Sequence, residues 1–91
     1  MKMGNKSLAQ LFLDEFGSTK SEGYWIVIYD FIGKKPNPKF WKNLTRMKNS
    51  STVRTVQYSV LSAGLQRDAN AAASLAEHYG AETRTYKVVA S

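Results

Sequence analysis

The segment Tyr24–Ile32, YWIVIYDFI, most constrains the fold, because it has the pattern of a strand that is apolar on both faces. Trp25, Val27, Tyr29 and Phe31 alternate with Tyr24, Ile26, Ile28 and Ile32. A strand with two apolar faces is covered on both sides, so we expect it in the middle of its sheet. A chain of 91 residues seldom has enough helix to cover both faces. We therefore expect the second face to meet another subunit.

Two amphipathic helices and further strands are predicted after this segment. Asn37 is a candidate N-cap and Pro38 a candidate first helical residue. The apolar residues Phe40, Trp41, Leu44 and Met47 recur at helical spacing, while Lys39, Lys42, Asn43 and Arg46 face elsewhere. The stretch 52–66 reads as one long strand or as a kinked pair. An alanine-rich helix that ends at Gly80 follows, and then a last strand, ETRTYKVVA.

This order of elements predicts an α+β domain of the ferredoxin-like type, βαββαβ, over residues 23–91. In that arrangement two helices cover one face of a four-stranded antiparallel sheet and leave the other face open. Residues 1–22 are predicted to be an N-terminal extension with a short helix capped by Ser7, followed by a loop, GSTKSEG. A helix this short needs a surface to lie against. We expect that surface to be the domain's own sheet, its edge or a neighbour.

The charge of the chain indicates a polyanionic partner. The formal net charge is +6 and the calculated pI is 9.7, which favours nucleic acid over a membrane surface. Charge that only maintains solubility is the alternative. No apolar run reaches the roughly 20 residues that span a bilayer, and the N-terminus does not have the pattern of a secretory signal. The chain has no cysteine, which rules out disulfides and thiolate metal sites but says little about the redox compartment. The cytoplasm is the default expectation.

Asp30 is the first candidate for chemistry, because it ends a strand that is otherwise apolar. A carboxylate in this position can bind Mg²⁺ with mostly water ligands, and the ion can polarise a phosphodiester. The alternative is that Asp30 caps the following loop or pairs with Lys34 or Lys35. Two copies of Asp30 across a two-fold axis would supply a pair of carboxylates.

A cluster of cations is the second candidate site. It comprises Lys34, Lys35, Lys39, Lys42, Arg46 and Lys48, with Arg54 just beyond. Acidic residues are absent between positions 31 and 67, and most of the cations belong to the first helix of the domain or to the loop before it. Such a ridge can follow phosphates without reading bases. The alternative is an ordinary solvated helix face.

Two familiar catalytic schemes are excluded. The chain has one histidine, His78, and no cysteine, so neither a Cys–His nucleophile nor a pair of histidine ligands is available. The Gly33-Lys34-Lys35 sequence does not have the spacing of a phosphate-binding loop. Trp25 and Trp41 are expected in the core or an interface rather than as platforms for bases.

The stretch 52–66, TVRTVQYSVLSAGLQ, carries Gln57 and Ser59 in the middle of a strand-like pattern. Polar side chains there are tolerated where they bond to a bend or to a partner subunit. We therefore expect Ser59 to mark a kink between two strands, near a two-fold axis and close to Asp30. An ordinary half-exposed strand is the alternative.

Taken together, these motifs resemble the CRISPR-associated protein two family, the small adaptation subunit of CRISPR systems. The resemblance covers about residues 24–90. In that family a first strand ends in Tyr-Asp, here Tyr29-Asp30, and a Gln-x-Ser-Val run marks the second and third strands, here Gln57, Ser59 and Val60. The closing strand TRTYKVV is also similar. Leu61 stands where the family usually has phenylalanine.

The resemblance implies a ferredoxin-like homodimer in which the two first-strand aspartates approach each other. It further implies Mg²⁺-dependent endoribonuclease or deoxyribonuclease activity, with Asp30 as metal ligand. It also implies a role as a bridge that binds duplex DNA between integrase subunits, with the cations as DNA contacts. The alternative on the same fold is a non-enzymatic nucleic-acid-binding regulator or a protein-interaction module.

Overall fold

The computed structural model describes residues 6–17 and 22–89 and contains three helices and four strands. In chain order they are α1 (Leu8–Glu15), β1 (Glu22–Asp30), α2 (Pro38–Ser50), β2 (Arg54–Gln57), β3 (Val60–Leu65), α3 (Gln66–His78) and β4 (Glu82–Lys87). Most of the loop predicted between α1 and β1, residues 18–21, lies outside the described residues, as do Ala90 and Ser91. The order of elements agrees with the prediction, and stretch 52–66 is indeed a pair of strands.

The two predicted helix starts are confirmed. Ser7 is extended and its hydroxyl accepts the N–H of Gln10 at 3.1 Å. Asn37 is also extended, and its amide oxygen accepts the N–H of Lys39 at 2.9 Å, with Pro38 as the first helical residue. These side chains satisfy N–H groups that have no partner within their own helix.

The four strands form one antiparallel sheet in the order β2-β3-β1-β4. β1 is central, as its two apolar faces predict. Its partners on the two sides are β3, where Ile28 lies opposite Val60, and β4, where Ile28 lies opposite Arg84. The α+β class and the antiparallel sheet are therefore established, and the arrangement is broadly compatible with a ferredoxin-like fold.

The core lies between one face of the sheet and the helices. Trp25, Val27 and Tyr29 of β1 are buried on this face. The ring of Phe40, from α2, contacts Tyr29 with centroids 5.4 Å apart. Helix α3 buries small side chains, Ala69, Ala71, Ala72 and Ala76, together with Leu75. Their size allows the helix to lie close to the sheet.

The position of α1 differs from the prediction, because it packs against α2 and α3. Its buried residues are Ala9 and Leu13. Asn43 of α2 was predicted to face away from the core, but it is 7% exposed and its side-chain oxygen accepts the N–H of Ala9 at 3.0 Å. The prediction for Asn43 is wrong, because α1 covers a side of α2 that the pattern of α2 alone marks as polar.

The opposite face of the sheet carries large apolar side chains with no helix over them in the described structure. Tyr24 and Ile28 of β1 and Tyr86 of β4 are 46%, 38% and 49% exposed. We call the surface formed by these three side chains and by Val56 of β2 the open face. Within residues 6–17 and 22–89, none of the helices has the length and apolar character needed to cross a membrane.

Candidate functional site

Asp30 is the last residue of β1 and its side chain is exposed. One carboxylate oxygen accepts the N–H of Ile32 at 2.9 Å, which stabilises the tight turn where Ile32 and Gly33 have φ of 24° and 69°. This contact is the loop-capping role that the sequence left as an alternative. It occupies one oxygen, and the carboxylate has further acceptor capacity for a ligand.

Glu82 lies directly opposite Asp30 on β4. The two residues line a cleft of about 210 Å³ together with Ile28, Tyr29, Thr83 and Arg84. Sequence reasoning did not find Glu82, because its closeness to Asp30 depends on the register between two strands from opposite ends of the domain. Glu82 occurs at the start of a predicted strand, and that pattern alone does not single it out.

The cleft offers a metal ion two carboxylate ligands, from Asp30 and Glu82. Among the residues that the structure describes, no group of three or more histidine, cysteine, aspartate or glutamate side chains is placed to hold a metal ion. Mg²⁺ usually keeps several waters and takes one or two protein carboxylates. Asp30 and Glu82 are the carboxylates of this cleft, which the cationic Arg84 also lines. They do not fit a metal that requires a complete protein cage.

Ser59 lies in the two-residue turn between β2 and β3, with φ of 66°. Its carbonyl accepts the N–H of Tyr29 at 3.0 Å, so the turn joins β1 next to Asp30. The structure thus places Ser59 at a break between two strands near Asp30. Gln57 ends β2 and is exposed.

Tyr29 is buried beside this turn. Burial raises the pKa of the Tyr29 phenol above its ordinary value of 10.0, and the nearby Tyr58 adds to the increase. The phenol is therefore neutral at physiological pH and supplies no charge to the cleft. Tyr29 is buried in the core and directly precedes Asp30 at the end of β1, and its position near a two-fold axis stays a prediction.

The predicted cations differ in their surroundings, and Lys48 is half-buried and donates to the hydroxyl of Thr55 at 3.1 Å. Lys39, Lys42 and Arg46 are exposed and recur along one side of α2, while Lys34 and Lys35 are exposed in the loop before it. We call these five residues the basic face. The segment that carries them, between positions 31 and 67, contains no Asp or Glu. The only ion pairs of the described residues are Lys6–Asp14 and Arg67–Asp68.

Arg54 has a different environment from the basic face. Its guanidinium donates to the carbonyl oxygens of Lys48, Ser51 and Val53 at 3.1, 3.0 and 2.7 Å. These hydrogen bonds satisfy carbonyls at and after the end of α2. The structure therefore gives Arg54 a capping role in addition to its charge.

Comparisons of the chain with known protein families, characterised proteins and solved structures found no significant match. The resemblance to the CRISPR-associated protein two family thus stays a prediction from short motifs.

Proposed function

We propose that the chain is a ferredoxin-like, homodimeric subunit that binds duplex nucleic acid through its phosphates. The observation that carries this proposal is the basic face, where five exposed cations have no acidic partner among the described residues. By resemblance, the dimer would bridge integrase subunits during CRISPR adaptation. The open face of the sheet supports the dimer, since it leaves large apolar side chains for a second copy to cover.

The spacing of the helical cations supports contact with a phosphate backbone. Lys39, Lys42 and Arg46 lie on successive turns of α2 and project to the same side. Cations in such a row contact phosphates without contacting base edges. Binding should therefore tolerate changes of sequence and weaken steeply as salt rises, because each neutralised phosphate releases counterions.

Titration of a labelled duplex at several salt concentrations tests this proposal. Replacement of Lys42 and Arg46 by glutamine should weaken binding and reduce the slope of log K against log salt by about 1.8, or about 0.9 for each phosphate that the variant no longer neutralises. The matched control is Lys6→Gln with Lys87→Gln, which removes the same charge from outside the basic face. Equal effects of the two double variants, or no binding by the wild type, would contradict the proposal.

Mg²⁺-dependent cleavage of a phosphodiester is a second candidate function, supported by the cleft in which Glu82 lies opposite Asp30. The two carboxylates would hold the ion, and bound Mg²⁺ would polarise a phosphodiester and stabilise its developing charge. The open side of the cleft leaves room for the remaining water ligands.

Cleavage assays on duplex DNA and single-stranded RNA, with Mg²⁺ and with a chelator, test this second function. Asp30→Ala and Glu82→Gln should each lose Mg²⁺-dependent cleavage and keep salt-sensitive binding. Thr83→Ala, which changes a neutral residue of the same cleft, is the matched control. Binding without cleavage by the wild type would instead support a non-enzymatic bridge or regulator, with Asp30 as a residue of the loop.

A further inference from the structure

An exposed aromatic pair lies at the edge of the sheet formed by β2. Tyr58, in the turn after β2, is 76% exposed, and Trp41 of α2 is 37% exposed. Their ring centroids are 6.4 Å apart and their planes are inclined by 39°. The Trp41 ring also contacts the buried ring of Phe40 in an edge-to-face arrangement, with centroids 4.9 Å apart. The outer surface of this aromatic pair is therefore supported by the core and open to solvent.

The fold does not require an aromatic residue at position 58. Two-residue turns between antiparallel strands favour Gly, Asn and Asp, whose backbones adopt the turn conformation easily. Among the described tyrosines, Tyr58 is the most exposed, so its ring contributes little to the burial of apolar surface. An aromatic ring presented in this way is available for a ligand with a flat apolar face.

The surroundings of the aromatic pair are cationic. Lys42 follows Trp41 on α2, and Lys48 of the same helix donates to the hydroxyl of Thr55 on β2 at 3.1 Å. No acidic residue lies in the sequence between positions 31 and 67, which includes α2, β2 and the turn. Anionic groups are therefore attracted to the edge that presents the rings.

We propose that Trp41 and Tyr58 form a stacking platform for unpaired nucleobases, with the phosphates held by Lys42 and Lys48. Flat aromatic bases joined by phosphates match a surface that combines aromatic rings with cations. The bases inside a duplex are already stacked, so this platform selects a single-stranded segment. This proposal rests on the proposed nucleic-acid binding. It specifies that the bound nucleic acid includes an unpaired, single-stranded segment.

The platform also lies near the candidate cleft. The carbonyl of Ser59, next to Tyr58, accepts the N–H of Tyr29, next to Asp30. Tyr58 and Asp30 therefore lie at the same end of the sheet.

The platform is tested by the binding of a labelled single-stranded oligodeoxyadenylate. Its length is about 12 nucleotides, which one small domain can contact. A blunt duplex of the same length is measured in parallel. Tyr58→Ala should bind the single strand about tenfold more weakly, the loss of one stacked base, and should bind the duplex as the wild type does. Tyr58→Phe should retain single-strand binding because it keeps the ring. Leu11→Ala, which truncates another exposed side chain on α1, is the control.

Tryptophan fluorescence gives an independent readout of stacking. Trp25 is 4% exposed, so quenching by the oligonucleotide reports mainly on Trp41. We expect the quenching to be reduced in Tyr58→Ala, with the thermal unfolding of the variant unchanged. If Tyr58→Ala weakens the binding of duplex and of single strand equally, or weakens the binding of neither, the stacking platform is disproved. The proposal of phosphate binding is unaffected by that result. If the wild type binds only the single strand, the platform stands and duplex binding is wrong. If it binds neither, both proposals fail.

Discussion

Asp68 is the residue with the most consequential contacts in the interior. It is fully buried, and one carboxylate oxygen accepts both the N–H and the hydroxyl of Thr52, at 2.8 and 2.6 Å. The other oxygen accepts from the guanidinium of Arg67 at 3.1 Å. The Thr52 hydroxyl in turn accepts the N–H of Gly64 at 2.8 Å. Asp68 thus joins the first turn of α3 to the segment that leads into β2.

We predict that Asp68→Ala lowers the free energy of unfolding by about 3 kcal/mol, because it leaves buried donors without an acceptor. Urea denaturation followed by circular dichroism measures the change. Asp30→Ala, at an exposed aspartate with one backbone contact, should cost no more than about 1 kcal/mol. Equal losses in the two variants would show that the buried contacts of Asp68 do not stabilise the fold.

At the scale of elements, α1 depends on α2 and α3 for its stability. A helix of eight residues is marginal in isolation, so its contacts decide whether it forms. Asn43 supplies a specific contact: its oxygen accepts from Ala9, and its amide donates to the Lys39 carbonyl at 3.0 Å. The Phe12 ring also packs on His78 in an edge-to-face arrangement, with centroids 6.0 Å apart.

Asn43→Leu should detach or loosen α1 while the sheet persists. The substitution leaves the buried N–H of Ala9 without an acceptor, at a cost of about 1–3 kcal/mol. Hydrogen exchange measured by mass spectrometry should show faster exchange in α1 and unchanged protection in β1 and β3. Ser7→Ala, which removes only the N-terminal cap of α1, should cost about 1 kcal/mol. Equal loss of protection in α1 and in the sheet would contradict this prediction.

At the scale of the whole molecule, the open face sets the expected oligomeric state. It places apolar side chains from both central and edge strands in water, whereas the helices cover the opposite face. Pairing of two open faces would remove this surface from water and leave both basic faces outside, available for nucleic acid. The proposed dimerisation and the proposed phosphate binding therefore use opposite sides of the domain.

Ile28→Glu should convert the proposed dimer to a monomer, because it places a charge at the centre of the open face. Sedimentation velocity or light scattering after size exclusion measures the mass. Leu11→Glu makes the same kind of change at a 50% exposed position on α1 and should leave the mass unchanged. A wild-type protein that is monomeric at high concentration would disprove face-to-face pairing.

Local patterns of the sequence determined much of the architecture. Alternation within Tyr24–Ile32 identified β1 as central, and the caps at Ser7 and Asn37 were recognised because capping depends on residues a few positions apart. Asp30 was correctly placed at the end of a strand for the same reason. The polar character of Gln57 and Ser59 indicated a break in the stretch 52–66, which the structure has at a turn.

Tertiary structure alone decided the features that join distant segments. Asn43 is buried because α1 returns over it, and Glu82 faces Asp30 because β4 pairs with β1 in one particular register. Trp41, expected in the core or an interface, meets Tyr58 at an exposed edge, since α2 crosses the sheet beside the β2–β3 turn. Periodicity within a segment specifies which side of that segment is apolar. It does not specify which partner covers that side, because this choice depends on the packing of the whole chain.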